Sequence, residues 1–131
     1  MAQVSFIELC RNLVGNAHVI SDPAKMVPYI TDYRRRFTGK ALAVISPGNT
    51  REVADIVKLC KLQNIPVVPQ GGNTGLVLGS VPDTSGKAVV LSLRRLKRIR
   101  EIDVANNTMT VEAGCILDDV RKAALDADRL F

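Results

Sequence analysis

The apolar residues near the start of the chain recur with the spacing of one helix face. They run from Phe6 to Val14 at positions three and four apart, and Gly15-Asn16 follows as a typical helix stop. This pattern predicts a short amphipathic helix. Residues 16–40 show no clear period and contain Pro23 and Pro28 as breakers, so they are predicted as loop with one or two helical turns.

Two apolar runs with a helical stripe between them follow. The run 41–45 predicts a strand buried on both faces. Asn49 and Glu52 have the spacing of a capping box for a helix from Arg51 to Gln63. Residues 65–69 predict a second short buried strand. The segment is therefore predicted as a βαβ unit with a parallel strand pair and a right-handed crossover.

The pattern changes in the second half of the chain. Residues 88–93, 99–104 and 108–112 predict strands, and 105–107 is a good hairpin connection, so the last two should be antiparallel with one face packed. Residues 116–127 predict a final helix. Its inward residues should be Leu117, Val120, Ala124 and Leu125. The predicted fold class is α+β, a βαβ subdomain followed by an antiparallel sheet.

Composition places the chain among ordinary globular domains. Apolar residues make up 47% and charged residues 24% of 131 positions, which is enough for one core. The 18 Lys and Arg against 13 Asp and Glu give a net charge of +5 and favour anionic partners. Only 4% of residues are aromatic and none is Trp, which disfavours base-stacking nucleic-acid binders.

Several classes of site and location are disfavoured. Three cysteines without a Cys-x-x-Cys pair, and His18 as the single histidine, make zinc and iron–sulfur sites improbable. Cys115 is expected to be a small buried apolar residue, while Asp118 and Asp119 should complement a helix dipole. The chain shows neither a signal-peptide pattern nor a run of about 20 apolar residues. A soluble, cytoplasmic protein is expected.

The chemistry is expected in a loop rich in glycine. Gly71, Gly72, Gly75 and Gly79 lie within nine residues, directly after a predicted strand of the βαβ unit. Glycine tolerates positive φ and permits close approach to the backbone, and consecutive N–H groups can form an anion nest. Ends of parallel strands are where ligand crevices open. A diphosphate is the ligand that fits.

Two common phosphate motifs do not match this loop. A Rossmann Gly-x-Gly-x-x-Gly motif would need glycine where Gln70 stands. A P-loop ending at Gly86-Lys87 would need glycine at Val81 and a hydroxyl residue at Ala88. The segment after Gly75 is also a poor helix start, so a helix dipole is not expected to bind the anion.

The ordered set of motifs resembles the FAD-binding domain of the vanillyl-alcohol oxidase (PCMH-type) flavoprotein family. The resemblance rests on Val67 to Gly75, preceded by Ser46-Pro47 and the helix 51–63, and on Val111 to Cys115. Gly72 to Leu76 with Gly79 to Pro82 is similar to the branch of D-lactate, glycolate and D-2-hydroxyglutarate dehydrogenases.

The resemblance implies an FAD site and a hydride transfer from a 2-hydroxy acid. The electron acceptor is not indicated. Asn73 stands where some relatives carry a histidine bonded to the flavin, which implies noncovalent FAD. Gly71 to Gly75 would bind the diphosphate through N–H groups and the Thr74 hydroxyl, with flanking and adenine-side positions completing the set. The implied residues are Pro47, Gln70, Gly71, Gly72, Asn73, Thr74, Gly75, Leu76, Gly79, Ser80 and Gly114.

The resemblance also implies how the chain is divided. Residues 1–40 would be an N-terminal helical segment, 41–80 the βαβ subdomain and 81–131 the start of the antiparallel subdomain. The rest of the domain, the substrate domain and the catalytic residues would lie beyond Phe131, so the chain alone should be inactive and bind FAD weakly at most.

The alternative is a nucleotide- or nucleic-acid-binding module without catalysis. The basic runs 34–36 and 94–100 could contact phosphates. Such runs are more often solvated surface, which favours the flavoprotein interpretation.

Overall fold

Helices and strands alternate through most of the chain, and the computed structural model describes residues 5–131. In chain order the elements are α1 (Phe6–Val14), β1 (Val19–Ile20), α2 (Pro23–Ile30), β2 (Ala43–Ile45), α3 (Thr50–Leu62), β3 (Val67–Gln70), β4 (Val89–Ser92), β5 (Ile99–Asp103), β6 (Thr108–Val111) and α4 (Leu117–Asp126). The first helix is confirmed. Ser5 and Glu8 close a capping box at its start, each side chain accepting the other residue's main-chain N–H.

A four-stranded sheet in the order β1–β2–β4–β3 forms the centre of the fold. β4 is parallel to both of its neighbours, and β1 is antiparallel to β2. Successive strand residues face opposite sides, so the continuous apolar runs of β2 and β4 supply both faces. One face packs against α1 and α3. On the other, Met26 and Ile30 of α2 cover Val44 and Val90.

The predicted βαβ pair is corrected in one respect. β2 and β3 are both parallel to β4, but they are not neighbours because β4 lies between them. β4 therefore belongs to the parallel sheet and not to the antiparallel part where it was expected. β3 is also half-buried and at the sheet edge. Pro69 lacks an N–H and is tolerated at an edge, whereas the apolar β4 gains most from central burial.

The prediction for residues 16–40, loop with one or two helical turns, is confirmed in part, since α2 supplies about two turns, but the role of the prolines as breakers is wrong. Pro23 does not break a helix there. It occupies the first turn of α2, where its fixed φ is favourable, and Asp22 caps the helix by accepting the Ala24 N–H at 3.0 Å. α2 continues through Pro28 to Ile30. Residues 19–20 add the edge strand β1 to the sheet.

The helix α3 is confirmed with a modified cap. Asn49 Oδ1 accepts the Glu52 N–H at 2.9 Å, as expected. The Glu52 carboxylate, however, accepts the N–H of Gly48 at 2.6 Å and not that of Asn49. It thereby fixes the turn that follows β2.

The antiparallel pairing of β5 and β6 is confirmed, with a register shift between Ile99 and Glu101. The expected packed face is only partly covered: Ile99 and Met109 are half-buried, whereas their strand partners Val111 and Ile102 are 37% and 38% exposed. In α4, Val120 and Ala124 are buried as predicted, but Leu117 and Leu125 are exposed. No helix among residues 5–131 is long and apolar enough to cross a membrane.

Candidate functional site

The segment from Gln70 to Ser80, here called the glycine loop, leaves the end of β3 and is anchored by buried Gln70. The Gln70 side chain is 3% exposed. Its Nε2 donates to the carbonyl oxygen of Tyr29 at 2.8 Å and to that of Ser80 at 2.7 Å. One amide therefore connects the start of the loop, its end and the helix α2.

Asn73 makes a second connection to α2. Its Nδ2 donates to the carbonyl oxygens of Thr31 at 2.8 Å and Pro28 at 3.3 Å, and its Oδ1 accepts the Ser80 hydroxyl at 2.9 Å. The last carbonyls of a helix have no partner inside the helix, so they are available to such donors. The end of α2 therefore holds the loop. Sequence reasoning missed this support because the contacts join residues 41 to 45 positions apart.

Packing against residues 5–131 does not require the loop glycines. A side-chain carbon on Gly71 or Gly72 would come no closer than 3.9 Å to its nearest neighbour, and one on Gly79 would meet nothing within 4 Å. None of the four glycines has a positive φ; Asn73 and Leu78 adopt the left-handed conformation instead. The expected use of positive φ by the glycines is thus wrong, whereas open space beside the backbone is present.

The main-chain donors of the loop are free of acceptors within the described residues. Within residues 5–131, the N–H groups of 71–80 donate to neither a backbone nor a side-chain acceptor. A loop with free donors and no side chains to cover them can bind an anion. Thr74 adds an exposed hydroxyl.

A cleft of about 580 Å³ borders one side of the glycine loop. It is lined by Gly71, Gly72, Thr74, Arg94, Lys97, Gly114, Cys115, Ile116 and Leu117. Two cations and no carboxylate line this cleft, so its electrostatic field favours an anion. We call it the loop cleft.

A second cavity, of about 640 Å³, lies on the other side of the loop. Gly72, Asn73 and residues from 27 to 38 line it, including Asp32 and Arg35. The N–H groups of Phe37, Arg36 and Arg34 donate to the Asp32 carboxylate and hold its pKa below the ordinary value, against the opposing effect of desolvation. A carboxylate in the lining makes this cavity less suited to a diphosphate than the loop cleft.

The structure divides the predicted site residues into four groups. Gly71, Gly72, Thr74 and Gly114 line the loop cleft. Gln70, Asn73 and Ser80 shape the loop through internal hydrogen bonds, while Gly75, Leu76 and Gly79 lie in its exposed part. Pro47 is fully buried, away from the cleft lining.

Five residues that line the cleft were not predicted as site residues. They are Arg94, Lys97, Cys115, Ile116 and Leu117. The basic run 94–100 was a visible signal, but it was interpreted as solvated surface. Cys115 was expected to be buried; it is half-buried and reaches the cleft. Among residues 5–131, no group of three His, Cys, Asp or Glu side chains is placed to bind a metal ion.

The family model for an FAD-binding domain matches residues 41–131. The chain belongs to this family of FAD-binding domains. It is 34% identical over 110 residues to the mitochondrial D-2-hydroxyglutarate dehydrogenase of Arabidopsis thaliana, covering 84% of this chain and 19% of that protein. It is 38% identical over 111 residues to the D-2-hydroxyglutarate dehydrogenase of Xanthomonas citri pv. viticola, covering 85% of this chain and 23% of that protein.

Solved structures show the same fold. p-Cresol methylhydroxylase with bound substrate matches with a TM-score of 0.79 and 22% identity, over 94% of this chain and 24% of that chain. 4-Ethylphenol oxidase from Gulosibacter chungangensis matches with a TM-score of 0.78 and 30% identity, with the same coverage. The fold is that of a PCMH-type FAD-binding domain, and this FAD-binding domain spans about a fifth to a quarter of its relatives' length.

The residues of the loop cleft fit the diphosphate of FAD. A diphosphate carries two negative charges and requires free donors, open space and nearby cations. The site offers N–H groups without an acceptor, no side chains at Gly71 and Gly72, and two cations in the same cleft. These features of the loop cleft are independent of the family match, which covers residues 41–131 as a whole.

Proposed function

We propose that this domain binds FAD in an oxidoreductase that oxidises a 2-hydroxy acid of the D-lactate, glycolate or D-2-hydroxyglutarate type. The names of relatives support this substrate class, since they include D-2-hydroxyglutarate dehydrogenases and a putative D-lactate dehydrogenase of Schizosaccharomyces pombe. The observation that carries the proposal is the glycine loop, whose open N–H groups border a cationic cleft.

The residues of this chain have distinct roles in the proposed site. Main-chain N–H groups of Gly71 to Gly75 bind the diphosphate, and the Thr74 hydroxyl adds a donor. Leu76, Gly79 and Ser80 flank the cofactor. Gly114 borders the adenine side, and Pro47 supports that side from within the core because it is fully buried.

FAD, when bound, supplies the acceptor for the hydride that leaves C2 of the substrate. The chain's own residues hold the dinucleotide and orient it, which is the protein's main task in such reactions. The base that takes the hydroxyl proton and the groups that bind the substrate carboxylate are not assigned to any residue of the chain.

Attachment of the flavin is proposed to be noncovalent. Asn73 has no nucleophilic atom for a flavin bond, and both of its side-chain polar atoms are hydrogen-bonded to Thr31, Pro28 and Ser80. Acid precipitation of the intact protein should release all flavin into the supernatant. Flavin that stays with the pellet would contradict this part of the proposal.

The compartment is also a proposal. The sequence leads us to expect a cytoplasmic location. The names of some relatives, including those from Arabidopsis thaliana and Bos taurus, place those proteins in mitochondria. Fractionation of cells that express the intact protein distinguishes the two.

Gly72→Val tests the proposed function. The Cβ added at this position would lie 3.9 Å from its nearest neighbour among the described residues, an ordinary contact, while the added bulk would occupy the loop cleft, so the variant should fold normally and lose flavin. Flavin content per polypeptide should fall at least tenfold, a loss that corresponds to roughly 1.4 kcal/mol of binding free energy.

Ala54→Val, on the exposed surface of α3, is the control because it introduces the same residue type, valine, away from the loop. Thermal unfolding of each variant without flavin checks that the fold is intact. Full flavin occupancy in a well-folded Gly72→Val protein would refute the loop assignment.

A further inference from the structure

The basic run from Arg94 to Arg100 is divided by the fold into paired and unpaired cations. Arg95 Nη1 lies 3.9 Å from the Glu52 carboxylate and donates to the Ser46 carbonyl at 2.7 Å. Arg98 and Arg100 both contact Glu112, at 3.7 and 3.2 Å. Three of the five cations are therefore balanced by carboxylates of this chain.

Arg94 and Lys97 differ from the other three. Within the described part of the chain, neither has a carboxylate oxygen within 4.0 Å. Both line the loop cleft together with Gly71 and Gly72, and Lys97 also borders a neighbouring cavity with Glu112. The two cations without a carboxylate partner are thus the two that share a cleft with the glycine loop.

The local fold explains this sorting. A turn closed by the Leu96 N–H and the Leu93 carbonyl at 2.9 Å follows β4, and Leu96 is buried beneath it. The positions on either side of this buried residue then differ: Arg95 points toward Glu52, and Arg94 and Lys97 reach the cleft.

The helix α2, which supports the glycine loop, also holds Arg94 in place. Its guanidinium carbon lies 5.4 Å from the centre of the Tyr29 ring, a cation–π distance. The Tyr29 carbonyl accepts the Gln70 amide at the start of the glycine loop. One residue of α2 therefore positions both the cation and the N–H donors.

We propose that Arg94 and Lys97 bind the diphosphate of the dinucleotide together with the glycine loop. Their two positive charges match the two negative charges of the diphosphate, and charge-assisted hydrogen bonds to phosphate are stronger than neutral ones. The assignment rests on the proposed FAD-binding function and adds side-chain charge to a site otherwise built from backbone donors.

The test measures FAD affinity of the deflavinated intact protein by flavin fluorescence at low and high salt. Arg94→Gln and Lys97→Gln should each weaken FAD binding roughly tenfold, and the double variant should weaken it further. The double variant should also lose most of the salt dependence. Arg94→Lys and Lys97→Arg should retain more affinity than the glutamine variants. Lys58→Gln, which removes a 76% exposed lysine of α3, is the matched control and should bind as the unsubstituted protein does.

Riboflavin, which has no phosphate, separates binding of the diphosphate from a structural role. Its affinity should be the same in all these variants, whereas a damaged cleft would lower riboflavin and FAD affinity together. Equal FAD affinity and salt dependence in the double variant and the unsubstituted protein would overturn the assignment while leaving the proposed function intact. Failure of the unsubstituted protein to bind FAD would overturn both. Loss of nucleic-acid binding alone, with FAD binding unchanged, would favour a nucleic-acid contact for this pair.

Discussion

Glycines serve two different purposes in this domain. Gly71 and Gly72 leave space that no other residue of the described chain fills, which suits the approach of a ligand. Gly114 leaves space that the chain itself fills, because the carbonyl oxygens of Leu93 and Leu96 lie against its Cα. Its N–H donates to Leu96 at 2.7 Å. The sequence shows nine glycines but does not show which purpose each one serves.

Gly114→Ala should therefore destabilise the fold. The added carbon would overlap the Leu93 carbonyl and lie 2.7 Å from the Leu96 carbonyl oxygen, and overpacking of this kind costs about 1–3 kcal/mol. Urea unfolding measures the loss in the free energy of unfolding. Gly79→Ala is the control, since its new carbon meets nothing within 4 Å. Equal stability of the two variants would show that the backbone at 114 moves away without cost.

At the scale of elements, α2 decides the shape of the glycine loop. Its final carbonyls accept hydrogen bonds from Gln70 and Asn73, and the Ile30 carbonyl accepts the Gly39 N–H at 2.9 Å. The helix thus gains partners for its end, and the loop gains a fixed conformation. Neither benefit is visible from either segment alone.

Gln70→Leu should remove this connection. It leaves the Tyr29 and Ser80 carbonyls without their donor in a buried position, a cost of about 1–3 kcal/mol. The free energy of unfolding in urea should fall, and flavin retention should fall with it. Gln63→Leu makes the same change at an exposed position after α3 and should alter stability little. A Gln70→Leu protein as stable as Gln63→Leu would show that the amide is dispensable.

The β5–β6 hairpin depends on a carboxylate and therefore on pH. The pKa of Glu112 lies below its ordinary value of 4.5. The largest cause is the hydrogen bond from the Arg98 N–H; the hydrogen bond from the Arg100 side chain and the positive charges of Arg100 and Arg98 add to it. A carboxyl group with a lowered folded pKa stabilises the fold above its unfolded pKa. That contribution is lost as pH falls through the folded value.

Glu112→Gln should accordingly be less stable than the unsubstituted protein at pH 7, and the difference should shrink as pH falls below 4.5. Thermal unfolding across this range measures the difference. Glu101→Gln removes an exposed carboxylate of β5 and serves as the control. A Glu112→Gln deficit that is constant with pH would mean that charge is not its cause.

Across the whole molecule, burial falls from the parallel sheet toward the hairpin and α4. The central strands β2 and β4 are completely covered, while apolar residues of the hairpin and α4 are exposed in part. The loop cleft lies between these two regions, so its walls come from both. The three cysteines differ in burial along this direction.

The reactivity of the three cysteines should follow their burial. Cys10 and Cys60 are 0% and 1% exposed; burial, and for Cys10 also its neighbour Cys60, raises the thiol pKa, to about 12 for Cys10. Thiolate is the reactive form, so both should be inert in the folded protein. Cys115 in the cleft should react first with a thiol reagent, and bound FAD should slow it. Cys115→Ser should abolish the fast phase; rapid labelling that persists in this variant would contradict the assignment.

The sequence determined the elements with strong local signals. The helix α1, the capped helix α3, the antiparallel hairpin and the glycine-rich segment were all predicted, because periodicity, caps and glycine content act within a few residues. Residues whose effect depends on their neighbours were interpreted wrongly. Pro23 predicts a break in isolation and a helix start after Asp22.

Tertiary structure alone decided the strand order, the support of the loop and the division of the basic run. β4 enters the sheet between β2 and β3 because a strand buried on both faces gains most at the centre. Gln70 donates a hydrogen bond to Tyr29, which lies 41 residues away in the sequence. The positions of Glu52 and Glu112 in the fold determine which arginines are neutralised. These outcomes depend on contacts between distant segments, which local sequence patterns do not encode.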